Sequence, residues 1–410
     1  MTTSSAERGS TIFDQPKAVW AVAFAAMIAF MGIGLVSPIL PALTHDMGAT
    51  RTQSSLLFTS YLVITGIAMF FTSWVSSRIG TRATLLSGLV IIVLASTAAG
   101  FAPTIEWLII CRAFWGLGNA LFISTALASI VASARGGTGP AIILYEAALG
   151  LGIAVGPLIG GLLGQIDWHA PFFGTAVLMT IAFIAIVVLL EDKGIPKAPS
   201  SVTAPFKALR VPAILVLAIV AFFYNMGFFV LMSYTPYPLG FTALGIGLVF
   251  TGWGIAVALT SVFAAPALAH RYSPLRVLWV VLATIALTLI AAGVFVHNTP
   301  VLVVLVVVAG LQLGLVNTLL TEAIMEASDL PRTVASSAYS GVRFMGGAIA
   351  PPAAAALAAA FGSNVPFYFG AIAVAIAAVL TVSFRRTLSP VEKPTPNDPQ
   401  SDAEAITFGE

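Results

Sequence analysis

The chain has 410 residues, of which 59% are hydrophobic and 8% charged, with a mean hydropathy of +1.02 and a formal net charge of +2. That balance excludes a soluble globular protein, which has no use for so much apolar surface. The lone Cys111 excludes an intramolecular disulfide and leaves no cysteine-based metal or redox motif.

Twelve apolar stretches are each long enough to cross about 30 Å of hydrocarbon at about 1.5 Å per residue. They are predicted as helices at 20–40, 55–75, 83–101, 105–131, 140–163, 171–190, 211–234, 243–267, 275–296, 299–324, 333–360 and 365–384. The first is too long for a signal-peptide core and reads as a retained span. The expected fold is an all-α membrane protein of twelve transmembrane helices in two pseudo-symmetric six-helix bundles. The bundles are 20–190 and 211–384, after an N-terminal segment 1–19. A polar, Pro- and Ser-rich linker, 191–210, joins them, and 385–410 is a tail with the composition of a disordered segment.

Lys and Arg set the orientation. With the N-terminus inside, every Lys and Arg falls in an inner segment except Arg51, in an outer loop, and Arg112 and Arg343, within spans. Both termini are therefore expected in the cytoplasm.

In span 5, Gly152, Gly156 and Gly160 fall four residues apart on one helical stripe, with Pro157 beside them and Gly161 following. Such a stripe lets another helix approach closely in lipid, and a proline bends the helix at that point. The expectation is that this stripe forms the contact where the two bundles seal and rock. Glu146 lies on a neighbouring stripe with Gly150, Ile153 and Pro157.

The halves repeat weakly. Phe114–Asn119 in span 4 echoes Gln312–Asn317 in span 10. Gly152 and Pro157 in span 5 echo Gly346 and Pro351 in span 11. Ser77–Gly80 echoes His270–Ser273, and all three offsets are about 190 to 200 residues.

These motifs bring the chain close to a known family. Gly32 followed by Pro38-Ile39-Leu40-Pro41, Arg112 followed by Gly116 and Gly118, and Gly152 to Gly161 resemble the motifs of the twelve-span drug:proton antiporters of the major facilitator superfamily. The last of these is the most specific. Thr321–Glu326 with Val342-Arg343-Phe344 is similar to bacterial multidrug members. The resemblance covers roughly 15–385 and implies the two-bundle fold, a central cavity and a bacterial inner (plasma) membrane location. One departure stands in the loop after span 2. The family's acid, which helps lock the cytoplasmic gate, is Ser77 here, and a basic position is Thr81. Arg78, Gly80 and Arg82 remain as candidate gate residues, with the arginines expected to meet helix C-terminal carbonyls or lipid phosphates.

Charges within a bilayer are costly, roughly 2.5–3.5 kcal/mol each on insertion scales, so each one invites a functional reading. Glu146 reads either as a proton carrier or as a structural carboxylate paired with an arginine. Glu322 reads as a second proton-coupling group, and Glu326, a turn on, as a solvated acid. Arg112 and Arg343 read as partners tuning these carboxylates, or as structural tethers. Trp115, Asn119, Tyr224, Asn225, Phe228, Met232, Thr318 and Tyr339 are candidates to line the cavity, with packing as the alternative for the aromatic residues.

No nucleotide-binding loop, metal cluster or nucleophile–base pair is legible in the sequence. An enzyme, an organic cofactor and a nucleic-acid partner are not expected; protons are the expected coupling ion, and the protein is expected as a monomer in the bilayer. The reading is a proton-coupled exporter of small amphipathic compounds working by alternating access. Export of a specific metabolite such as a sugar or siderophore, and a lipid-translocating or sensor role, stand as alternatives.

Overall fold

A computed structural model describes residues 15–134, 138–190, 201–328, 330 and 332–392. Among them there are no strands, and twelve helices are long and apolar enough to cross a membrane. In chain order they are α1 (Lys17–Gly34), α2 (Arg51–Ile79), α3 (Thr81–Gly100), α4 (Ile105–Ser133), α5 (Thr138–Gly164), α6 (Ala170–Leu189), α7 (Pro212–Tyr234), α8 (Ala243–Leu259), α9 (Pro274–Val294), α10 (Thr299–Glu326), α11 (Arg332–Phe361) and α12 (Val365–Ser383).

Local chemistry sets the helix ends. The first orphan N–H groups of a helix need acceptors. Thr50 supplies one in a capping box with Gln53, which starts α2 four residues before the predicted boundary. The Thr104, Thr242 and Asn298 side chains cap α4, α8 and α10. Gly80, at φ +85°, ends α2 in a conformation that a side chain disfavours.

Two predicted spans are longer and less regular than expected. The first runs on past α1 through a 3₁₀ turn, Ser37–Ile39, and a helical segment, Leu40–Asp46. Pro38 and Pro41 lack the N–H that an unbroken α-helix would use there. The eighth continues past α8 through a π-helical turn, Thr260–Ala264, into Ala265–Arg271.

The two halves repeat each other's packing. α1 lies against α5 as α7 lies against α11; α2–α4 matches α8–α10, and α3–α6 matches α9–α12. Glycines make these approaches possible. A Cβ on Gly156 would lie 2.6 Å from the Met31 carbonyl oxygen of α1, and Gly152 and Gly160 meet the carbonyls of Met27 in α1 and of Leu35 at its C-terminal end. Gly346 of α11 meets the Phe222 carbonyl of α7, the counterpart contact.

This corrects the expectation for the span 5 stripe. Gly152, Gly156 and Gly160 lock α5 onto α1 inside one bundle, and they are not the contact between bundles. That contact is made by the adjacent stripe. Gly161 faces Ala243 and Gly247 of α8, the Pro157 carbonyl lies 2.6 Å from a Cβ on Gly247, and Ala154 faces Gly254. The halves meet along two seams, α5–α8 and α2–α11.

Candidate functional site

The seams fix how the halves can move. One end of the molecule carries the loop between Asp46 and Arg51, and the other carries the linker. At the loop end, Thr44 shares a hydrogen bond with Tyr237 of the opposite half at 3.2 Å and another with Ser54 at 3.0 Å. The Arg51 guanidinium sits 5.0 Å over the Tyr237 ring. The α5–α8 seam is close from Gly161 to Ala154 and looser at Gly150, toward the linker. A Cβ on Gly161 would stand 2.6 Å from the Ala243 oxygen, whereas one on Gly150 would stand 3.6 Å from the Ala258 methyl. The α2–α11 seam is held along its length. Thr59 donates to the Ala348 carbonyl at 2.7 Å, and Ser73 and Ser337 lie 3.4 Å apart nearer the linker. Phe206, in a short linker helix (Ala204–Ala208), stacks on Phe70 of α2 with centroids 4.8 Å apart and planes 11° from parallel.

Within the N-terminal half, groups from α1, α2 and α4 converge on Arg112, which is wholly buried. Its Nη1 donates to the Gly32 carbonyl at 3.3 Å and its Nε to the Leu57 carbonyl at 3.4 Å. The Tyr61 and Trp115 rings flank the guanidinium at 4.5 and 4.8 Å. Asn119 donates to the Tyr61 hydroxyl. Gly32 leaves the space that the Trp115 ring occupies, since a Cβ there would fall 2.9 Å from it. Carbonyl dipoles and ring faces thus stabilise this cation, and no carboxylate bonds to it among the described residues. Trp115 and Asn119, chosen as cavity residues, are enclosed in the half's own core in this conformation.

The C-terminal half holds a related cluster. Asn317 Oδ1 accepts from the Tyr224 hydroxyl and, at 3.0 Å, from Arg343 Nη2. Arg343 lies 5.7 Å from the Tyr224 ring centre, and Asn225 donates to its backbone carbonyl at 2.8 Å. Tyr224, Asn225, Tyr339 and Met232 are buried, as is Phe228, whereas Arg343 is half-buried. Thr318, also half-buried, donates to the Gly314 carbonyl of its own helix.

The remaining sequence-chosen groups scatter. Glu322 and Glu326 are both exposed near the end of α10. Glu146 belongs to α5, and its side chain lies outside the described residues. Gly150, on the next turn of α5, faces Ala258 of α8. At the linker end, Arg82 donates to the Val187 carbonyl in the last turn of α6 at 2.9 Å, and Arg78 lies 5.7 Å over the Trp74 ring. Ser77, where the family has an acid, turns back to the Trp74 carbonyl of its own helix at 2.8 Å.

Two residues were missed as site members. Asn317 was legible through its echo of Asn119, but its link to Arg343 joins α10 and α11 and needs the fold. Tyr61 carried no sequence signal at all. Two apolar grooves, of about 220 and 410 Å³, lie along α2, and none of the sequence-chosen cavity residues lines either.

Residues 22–237 and 219–409 each match the family model described as Major Facilitator Superfamily. The chain is 48% identical over 365 residues to the multidrug efflux protein YfmO of Bacillus subtilis (strain 168), covering 89% of this chain and 92% of that protein. It is 26% identical over 263 residues to the quinolone resistance protein NorA of Staphylococcus aureus (strain MRSA252), covering 60% and 66%. A D-xylose–proton symporter of known structure superposes with a TM-score of 0.74 at 12% identity, over 92% of this chain and 98% of that one; this likeness is one of fold.

Proposed function

We propose that this chain, which belongs to the Major Facilitator Superfamily and is a membrane transporter rather than an enzyme, exports small amphipathic organic compounds by proton-coupled alternating access. The observation that carries the export reading is near-full-length identity of 48% to a protein named for multidrug efflux. Topology is proposed with both termini in the cytoplasm of a bacterial plasma membrane, because the basic residues gather in the segments on that side.

In that orientation the loop end, bridged by Thr44 and Tyr237, is external, and the α5–α8 seam loosens toward the cytoplasm. The conformation then corresponds to one closed outside and able to receive cargo from the cytoplasm or inner leaflet. Alternation exchanges these contacts for their counterparts at the other end, and the duplicated packing supports two such arrangements of similar energy.

Glu146 is the proposed coupling residue, with Glu322 second. Gly150, on the turn of α5 that follows Glu146, meets Ala258 of α8 across the moving seam, which supports this reading. Protonation there replaces a charge with a neutral group, which changes the relative stability of the two seam arrangements. A proton moving down the membrane potential contributes about 2.3 kcal/mol per 100 mV, enough to bias a two-state equilibrium tens-fold.

The test is Glu146→Gln in proteoliposomes carrying a pH gradient. Gradient-driven export is expected to stop while substrate still binds. Unchanged gradient-driven transport by the variant would remove Glu146 from the mechanism.

A further inference from the structure

The two seams between the halves are built from corresponding helices, yet one carries a hydrogen bond that the other lacks. The Thr50 and Thr242 caps align α2 with α8, which pairs Thr59 with Thr251. The same repeat aligns α5 with α11. It pairs Pro157 with Pro351, Ala154 with Ala348 and Leu158 with Pro352. Thr251 donates to the Gly247 carbonyl of its own helix at 2.7 Å, the local bond that a span threonine ordinarily makes. Thr59 instead reaches across the halves and donates to the Ala348 carbonyl, also at 2.7 Å.

The cause lies in α11. A helical N–H bonds to the carbonyl four residues back. Pro352 has no N–H, so it leaves the Ala348 carbonyl without its helical donor. Leu158 keeps its N–H, and the Ala154 carbonyl therefore stays in the α5 ladder. Ala348 is buried, and a carbonyl held in hydrocarbon with no donor is costly. Thr59, Ala348 and Pro352 line the larger groove beside α2, and the rest of its lining is apolar. The groove thus offers this carbonyl no second side-chain donor.

We propose, resting on the alternating-access reading, that Thr59 is a positioning residue that holds the loop end of the α2–α11 seam shut by capping the carbonyl Pro352 frees. Thr59 lies eight residues into α2, about 12 Å from Arg51 at the loop end. When the seam parts, its hydroxyl turns to the Ser55 carbonyl of its own helix, as Thr251 turns to Gly247. The Ala348 carbonyl then has no donor. The cost of opening falls on that carbonyl, and the conformer closed at the loop end is favoured. The α5–α8 seam carries no such bond at Thr251, so the two seams resist opening unequally.

The test uses the full chain in nanodiscs, with Cys111 substituted and spin labels on cysteines placed at the exposed Asp46 and Phe241. Pulsed electron–electron distance measurement in acidic and alkaline buffer gives the ratio of the loop-end-open to the loop-end-closed population. Thr59→Val keeps the shape and removes the hydroxyl. It is expected to raise the ratio about 2- to 10-fold, as loss of one hydrogen bond implies. Thr59→Ser, which keeps the hydroxyl, is expected to hold the wild-type ratio. Pro352→Ala returns a helical donor to the Ala348 carbonyl in both conformers. It is expected to raise the ratio by itself, and adding Thr59→Val to it should produce no further change. A ratio that Thr59→Val leaves unmoved overturns the proposal, as do equal shifts in Thr59→Val and Thr59→Ser. A full Thr59→Val effect on top of Pro352→Ala overturns it as well. If Pro352→Ala does not fold, the comparison of Thr59→Val with Thr59→Ser decides alone. Two wild-type populations that Thr59→Val does not shift would sink this inference and leave alternating access standing. A single wild-type population in every buffer would sink both.

Discussion

Gly156 and Gly161 offer a matched pair that separates packing inside a bundle from packing between bundles. Each lies on α5, and a Cβ on either would stand 2.6 Å from a carbonyl oxygen: Met31 of α1 for Gly156, Ala243 of α8 for Gly161. Ordinary contact lies nearer 3.5 Å, so each Gly→Ala change forces a separation of roughly 1 Å. Overpacking of this kind costs about 1–3 kcal/mol. The helix propensity gained by alanine, about 1 kcal/mol, applies equally to both and cancels in the comparison. What differs is which states bear the cost. α1 and α5 belong to one half, so the Gly156→Ala clash persists throughout the cycle and lowers stability. The Gly161→Ala clash exists only while the α5–α8 seam is shut at the loop end. It therefore penalises one conformer, and 1–3 kcal/mol shifts the ratio of the two by about 5- to 150-fold.

Spin labels on Asp46 and Phe241, at opposite sides of the loop end, report that ratio by pulsed electron–electron distance measurement. With Cys111 as the lone native cysteine, a cysteine-free background requires one substitution. Gly161→Ala is expected to lengthen the Asp46–Phe241 distance distribution with little change in melting temperature. Gly156→Ala should lower the melting temperature and leave the distribution in place. If Gly161→Ala melts early with an unchanged distribution, the assignment of Gly161 to a moving seam is wrong.

Two further perturbations test the ends of the molecule. Phe206→Ala removes the stacked contact with Phe70 and the edge contact with Phe71, 6.4 Å away; the loss of about 0.5–1.5 kcal/mol should lower cross-linking between cysteines placed at Ser73 and Ser337 below the yield with Phe206 in place, and equal yields in both would show that the linker helix does not hold this seam. Outside the spans, hydrogen bonds from the His169 backbone and side chain hold the Asp167 carboxyl below its usual range. A lowered value stabilises the fold above the ordinary carboxylate range, and that contribution disappears as pH falls through the folded-state value. The melting-temperature gap between wild type and Asp167→Asn should therefore be small, because the side chain is half exposed, and should close on acidification; a gap constant across the acid range would mean that these bonds do not stabilise the charged form.

Much of the architecture was legible because a bilayer imposes it. Each backbone polar group in hydrocarbon must bond within its own helix, so apolar runs of sufficient length determine twelve spans, and the basic residues outside them suggest an orientation. The echo of Gly152 and Pro157 in Gly346 and Pro351 disclosed the duplication before any contact was known. Boundaries slipped where local chemistry outweighs hydropathy, as at the Thr50 capping box and the proline-interrupted end of the first span.

Only the tertiary structure decided which face of α5 meets which partner. Gly152, Gly156 and Gly160 form one stripe, and Gly150, Ala154, Pro157 and Gly161 form its neighbour. Both consist of small residues, and helical periodicity states only that they differ in direction. The first turned out to grip α1, and the second meets α8 across the halves. The same holds for the arginines. Sequence marks Arg112 and Arg343 alike as costly charges in hydrocarbon, but enclosure by Gly32, Leu57, Tyr61 and Trp115 distinguishes the first from the half-buried second. Hydropathy and helical period are properties of one segment taken alone, whereas the partner of a buried face or charge is a property of segments far apart in the chain, which only their packing brings together.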